Sequence, residues 1–198
     1  MSMAAGARRR GRPRSEAIDA AVLAAARRQL AEGGYAALSF AAVADEAGTS
    51  RPALYRRYAS KAALAESAMA SLPADEPPEP AIDPFSDLVA ELADFRRGVS
   101  LPGRLSLVGT MLQSTTDADA AARYRARIIT PRRARLRAIL ERAAAAGEID
   151  PEADLDVAVT MLTGSWYARC LAGAPEPDDW PRRVAALAWR AVGGRVPG

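Results

Sequence analysis

Between residues 50 and 61 the chain reads SRPALYRRYASK, placing three arginines, two tyrosines, two serines and one lysine within a few helical turns. None of these has an activating base beside it. All are hydrogen-bond donors, and an arginine fork can grip a planar acceptor group at two points. The chemistry on offer is therefore charge-assisted binding to an anionic, acceptor-rich surface. Histidine is absent from all 198 residues, which removes the commonest general base, metal ligand and activator of a Ser or Cys nucleophile. Lys61 as a Schiff-base nucleophile or Cys170 as a thiol would each need a depressed pKa in a buried cleft. Lys61 instead begins a helix in a basic stretch, and Cys170 has no histidine to activate it. Asp75, Glu76 and Glu79 lie in a proline-broken segment that offers a metal or a substrate no rigid scaffold. No enzyme, metal or cofactor is expected.

To aim the donors, residues 41–61 must form two short helices across a tight turn, followed by a third helix start. Ala42 and Val43 open an apolar face, Ala47 is small enough for a close helix crossing, Gly48 can adopt the left-handed conformation that ends a helix, and Ser50 can cap the next. The second of these helices spans residues 51–57. Pro52 falls in its first turn, where a missing N–H costs nothing, and Leu54 and Tyr58 return to the core at i, i+4 spacing. Arg51, Ala53, Tyr55, Arg56 and Arg57 are left outward, the surface a helix-turn-helix presents to a major groove. Upstream, Ile18, Val22, Ala25 and Leu30 make one apolar stripe over 15–32, with Arg27 and Arg28 on other faces and Gly33-Gly34 ending the helix. Ser39 is placed to cap a helix over 40–46, and its hydroxyl can serve that cap or hold a phosphate. Ser60 caps a further helix through Leu64 and Met69.

With GGY after its first helix, AGTS at the turn and LYRRYASKAAL at its close, the segment 15–69 is similar to the N-terminal domain of the TetR family of bacterial transcriptional regulators. That family has a Gly at the turn, a Leu-Tyr pair, an aromatic three residues after the Tyr, and a Lys opening the following helix. Gly48, Leu54, Tyr55, Tyr58 and Lys61 match. Gln29 stands where the family commonly has an apolar residue, and Leu38 where a small hydroxyl residue is usual. The resemblance implies an all-α fold: a three-helix DNA-binding domain joined by a fourth helix to a C-terminal helical bundle for effector binding and dimerisation, about nine helices in total. It also implies that Lys61 contacts phosphate, and that an effector among the middle helices re-aims the fourth.

The remaining chain divides into a basic arm over 1–14, a DNA-binding domain over 15–71, a linker over 72–83 and a helical domain over 84–198. The arm holds Arg8, Arg9, Arg10, Arg12 and Arg14, and reads either as a solvated tail or as an arm lying along phosphates or entering an adjacent minor groove. It leads into no apolar h-region and no run of 18 apolar residues exists, so neither a secretory signal nor a membrane span is expected, and a cytoplasmic location fits. The linker holds four prolines and four acids. Beyond it, Phe85, Leu88, Leu92, Phe95 and Val99 share one face of a helix, with Asp87, Glu91 and Asp94 expected on the solvated side. Leu105, Val108, Met111 and Leu112 predict a sixth helix. A long seventh spans 117–146 through Tyr124, Ile128, Leu136 and Ile139, kinked at Pro131, with Arg132, Arg133, Arg135 and Arg137 reading as a solvated face in preference to a second nucleic-acid surface. Asp150-Pro151-Glu152 starts the next, which carries Leu155, Val159, Leu162 and Trp166 on one side and Val157, Met161 and Ala168 on another. The last, 178–192, carries Val184, Leu187 and Ala191 on one stripe and Ala185, Trp189 and Val192 off it. Helices apolar on two sides need two covers, which a second copy of the pair would supply.

Charge follows the same division. Residues 1–71 carry eleven Lys or Arg against six Asp or Glu, whereas the rest of the chain is net acidic. The expectation is a homodimeric, sequence-specific regulator of transcription, a repressor released from a palindromic operator by a small molecule. Arg51 and Ala53 would touch base edges; Ser39, Ser50, Tyr55 and Lys61 would hold phosphates; Pro52, Arg56, Arg57, Arg12 and Arg14 complete the DNA-facing set. Phe95, Met111, Tyr124, Trp166 and Tyr167 read either as ordinary core packing or as the border of an effector pocket, with Gln113 and Arg169 as its polar anchors. Leu155, Val159, Leu162, Val184, Leu187 and Ala191 would form the dimer face. The alternative is a basic-armed helical protein-interaction module without sequence-specific DNA binding, which a specificity ratio near one would support.

Overall fold

The computed structural model describes residues 12–71, 78–81, 83–101, 105 and 118–197, and every element among them is helical. They fall into two compact units, one holding the helices up to residue 71 and the other the helices of 84–99 and from 122 onward.

In the first unit, α1 (Arg12–Ala37) begins three residues before the expected start. It is broken where predicted, at Gly34, whose φ of 66° no larger residue adopts comfortably. A side chain at Gly33 would collide with Cβ of Ala37, so both glycines of the pair are used. α2 (Phe40–Glu46), α3 (Arg51–Tyr55) and α4 (Lys61–Ala70) follow. Val22, Ala25, Ala26 and Leu30 of α1 close on Val43, Ala44, Leu54 and Leu64, all almost fully buried. Small residues let the helices approach closely, and α1 packs on both α2 and α4. Leu38, one of the two departures from the family pattern, is core. Ala42, expected on the apolar face, is exposed; Phe40, Val43 and Ala44 form that face instead. Arg27 reaches Ser71, and Arg28 reaches Glu46, tying α1 to the end of α4 and to α2.

The second unit contains α5 (Pro84–Val99), the last three residues of α6 (Ala118–Tyr124), a π-helical turn (Arg125–Ile129), α7 (Thr130–Ala145), α8 (Leu155–Leu171) and α9 (Trp180–Ala191). The kink predicted at Pro131 takes the form of that π turn. Pro131 has no N–H to give the carbonyl four residues back and its ring crowds that carbonyl, so the preceding turn widens. Asp83 caps α5, its Oδ1 accepting from Ser86 N at 2.8 Å, and these bonds hold its carboxyl below the usual carboxylate range. Asp154, not Asp150, caps α8, accepting from Val157 N at 3.0 Å; Asp150 turns the chain before it. Of the predicted sixth helix only Leu105 lies among the described residues.

Phe85, Leu88, Leu92, Phe95 and Val99 pack as expected against Leu136, Leu140, Leu162, Trp166 and Trp189. The acids of α5 do not face solvent. Asp87, Glu91 and Asp94 are 7%, 2% and 1% exposed, and each meets arginines of the antiparallel α7. Asp87 pairs with Arg142. Glu91 takes Arg135 in a two-point grip at 3.0 and 2.7 Å, and Asp94 takes Arg132 at 2.8 Å. The reading of Arg132 and Arg135 as a solvated face is thus corrected: the arginines are one rail of a buried ionic ladder. Arg133 and Arg137, on the outer side, reach Thr160 and Asp156.

Candidate nucleic-acid interface

Two backbone bonds close the turn between α2 and α3. Thr49 N donates to Ala44 O at 2.9 Å and Gly48 N to Asp45 O at 3.4 Å, the pattern that ends a helix on a left-handed residue. Gly48 sits there at φ 64°. A Cβ on it would meet nothing, so the requirement for glycine is wholly one of backbone conformation. Ser50 then caps α3, accepting from Ala53 N at 3.4 Å, and Pro52 occupies the first turn. The helix is shorter than expected, ending at Tyr55 and passing into a turn through Arg57.

Leu54, 1% exposed, is the anchor that turns the rest of α3 outward. Arg51, Pro52, Tyr55 and Arg56 are exposed, and Ala53 is half-buried. Tyr55 lies flat on Phe40, ring centroids 4.6 Å apart and planes 8° from parallel. Arg57 is drawn back to Asp19 of α1, which leaves Arg56 as the freer of that pair. Tyr58 is half-buried, and loss of solvent raises its hydroxyl's pKa.

Three serines precede helices, and they differ. Ser50 and Ser60 accept cap bonds, the latter from Ala63 N at 3.0 Å, whereas Ser39 stands at the N-cap of α2 with no cap bond from its side chain. Its own N–H is taken by Gln29 Oε1 at 3.0 Å. Lys61 is half-buried: Nζ donates to Ala36 O at 2.9 Å and rests 4.8 Å from the centre of the Tyr35 ring. Burial lowers its pKa. Ser39, Ser50, Arg51, Tyr55, Arg56 and Lys61 are all carried on the first unit, while the side chains of Arg12 and Arg14 lie outside the described residues.

The family models for bacterial regulatory proteins of the tetR family, over residues 22–68, and for the tetracyclin repressor-like C-terminal domain, over 78–188, both match. The chain belongs to the TetR family. It is accordingly a DNA-binding regulator of transcription and not an enzyme. This TetR-family chain is 28% identical over 191 residues to the uncharacterized HTH-type transcriptional regulator YdeS of Bacillus subtilis (strain 168), covering 93% of this chain and 94% of that one. Among solved structures it is similar to the TetR family regulator SCO0332, at 31% identity, TM-score 0.59 and coverage of 91% and 99% of the two chains. A TetR family regulator from Marinobacter aquaeolei VT8 is 25% identical with a TM-score of 0.62, over 93% and 100%.

Of the residues expected around an effector, Phe95, Trp166 and Tyr167 do converge, but as core. Phe95 meets Tyr167 edge-on at 5.8 Å, and Trp180, which sequence reasoning overlooked, meets Trp166 edge-on at 4.9 Å. Tyr124 is buried apart from that cluster. Met111 and Gln113 lie outside the described residues. Arg169 lines a 470 Å³ groove with Trp180, Arg183 and Arg190. A second groove, of 610 Å³, runs along the ionic ladder between Glu79, Asp87, Glu91, Arg135 and Arg142.

The expected dimer face needs a correction. Val159 and Leu162 are 2% and 0% exposed in the chain's own core, and Leu155 and Val184 are half-buried against it. One stripe of α8 fills the core, so the outward stripe is the other one. Val157, Met161, Leu171 and Leu187 are the large apolar residues left exposed on α8 and α9, with Ala191 also outward. Among the described residues no helix is long and apolar enough to cross a membrane, and no group of His, Cys, Asp or Glu is placed to hold a metal.

Proposed function

We propose that the chain is a homodimeric repressor that holds a palindromic operator through two copies of α3 and leaves it when a small molecule binds the C-terminal unit. The observation that carries this reading is the exposure of Arg51, Pro52, Tyr55 and Arg56 around a buried Leu54, on a helix whose entry is fixed by Gly48 and Ser50. Arg51 grips a guanine edge and the Ala53 methyl meets a thymine. Ser39, Ser50, Tyr55 and Lys61 hold phosphates, with Arg56 between the two roles and Arg57 mainly bracing α1. Arg12 and Arg14 lie along the backbone. The domain boundaries proposed from sequence, at 14, 71 and 83, fit these roles. Val157, Met161, Leu171 and Leu187 support a second copy as the cover for α8 and α9. The description of the C-terminal domain as tetracyclin repressor-like supports repression and effector release.

Selection of duplexes from a random pool, followed by footprinting and light scattering, tests the reading. The expected outcome is a dimer protecting two inverted half-sites roughly 34–36 Å apart. Protection of a single half-site by a monomer overturns the dimer, and equal affinity for scrambled duplexes overturns the sequence-specific reading.

A further inference from the structure

We propose that Gln29 is a positioning residue for the DNA contact, acting from α1 through Ser39. A helix-starting serine commonly works in a reciprocal arrangement: its hydroxyl takes the N–H three residues on, while a Glu or Gln at that position reaches back to the serine's own N–H. In α2 the residue three beyond Ser39 is Ala42, which has no acceptor to offer. Gln29 fills that place from another helix, its Oε1 accepting from Ser39 N at 3.0 Å in a part-buried setting. The second half of the arrangement is missing, because the Ser39 side chain makes no cap bond. The backbone at Ser39 is held while its hydroxyl is left for an external acceptor.

Other bonds hold the same short connection. Lys61 Nζ fixes Ala36 O, and the Gly34 break turns the chain into it. Gln29 is the side-chain tie that ends on Ser39 itself, whose carbonyl also accepts from Val43 N at 2.9 Å. Removing it frees the backbone N–H to turn toward water and lets the hydroxyl fall back into the vacant cap bond, where it no longer faces a phosphate. The inference rests on the reading of Ser39 as a phosphate contact.

The test is a double-mutant cycle of Gln29→Met, which keeps length and bulk but loses the acceptor, with Ser39→Ala. Affinity is measured for the duplex that the wild-type chain selects, and amide exchange is measured at Ser39. Gln29→Met is expected to weaken binding roughly three- to tenfold, the worth of about one hydrogen bond, to speed exchange of the Ser39 amide, and to have little further effect once Ser39 is alanine. An equal loss in both backgrounds shows a general structural role and overturns the proposal, as does unchanged binding by a folded Gln29→Met. If Ser39→Ala alone leaves affinity intact, the phosphate reading of Ser39 falls, while faster exchange in Gln29→Met still reports the tie. Gln29→Leu serves as the second variant should Gln29→Met not fold, with the same outcomes deciding.

Discussion

The arginines at and just after α3 and those of α7 look alike in the sequence and lie in opposite surroundings. Arg51 stands exposed on a helix of five residues whose one buried side chain is Leu54, and Arg56 stands exposed at the cap that ends it. Arg132 and Arg135 turn inward on α7 and meet Glu91 and Asp94 of α5. An arginine run therefore says little until its counter-charges are found. Among the described residues no counter-charge meets Arg51 or Arg56, whereas on α7 the counter-charges arrive with a helix some forty residues earlier in the chain.

Substitutions sharpen that contrast, and the largest effect belongs to the ladder. Glu91→Ala leaves two guanidinium groups facing an empty buried site and should lower unfolding free energy by about 3–5 kcal/mol in urea titrations. Leu54→Ala, a cavity beneath α3, should cost roughly 2–4 kcal/mol by the same measurement. Arg51→Ala should leave the unfolding midpoint in place while weakening the selected duplex by about 1–3 kcal/mol and relaxing preference at one base pair. If it destabilised the fold as Glu91→Ala does, the division between the two helices would fail. Lys61→Ala should weaken all duplexes alike and flatten the salt dependence of binding by about one unit of slope; a changed sequence preference at constant slope would contradict its assignment to phosphate. The smallest effect is expected at Asp83. Its carboxyl titrates lower in the folded chain than in the unfolded one, so its contribution is whole above the unfolded value and is lost as pH falls through the folded one. Asp83→Ala should flatten the acid limb of a stability profile in that window.

The same contrast explains what was legible. The turn of the DNA-binding unit is written locally: Gly48, Ser50 and Pro52 each dictate backbone geometry within a few residues, and the structure has all three in those roles. The break at Gly34 and the disturbance before Pro131 are local in the same sense, although periodicity could not show that the latter widens into a π turn. The acids of α5 were misread because charges spaced at 87, 91 and 94 look like the wet side of an amphipathic helix. Only their match with Arg142, Arg135 and Arg132 in reverse order reveals the partner, and that signal was there to be found. Val159 and Leu162 were assigned to the wrong cover for a related reason. On a helix apolar all round, sequence shows that two surfaces exist without telling which one faces the chain's own core. Gln29 appeared only as a departure, because its use depends on a backbone N–H ten residues away.

Tyr55 carries a consequence of its own. With one ring face resting on Phe40 and the side chain still 61% exposed, its orientation is settled before any duplex arrives. A freely rotating tyrosine would surrender torsional freedom on docking, about 0.5–1.5 kcal/mol for an immobilised side chain. Here much of that ordering has already happened during folding, so a duplex contact by the hydroxyl, as proposed, would cost correspondingly less.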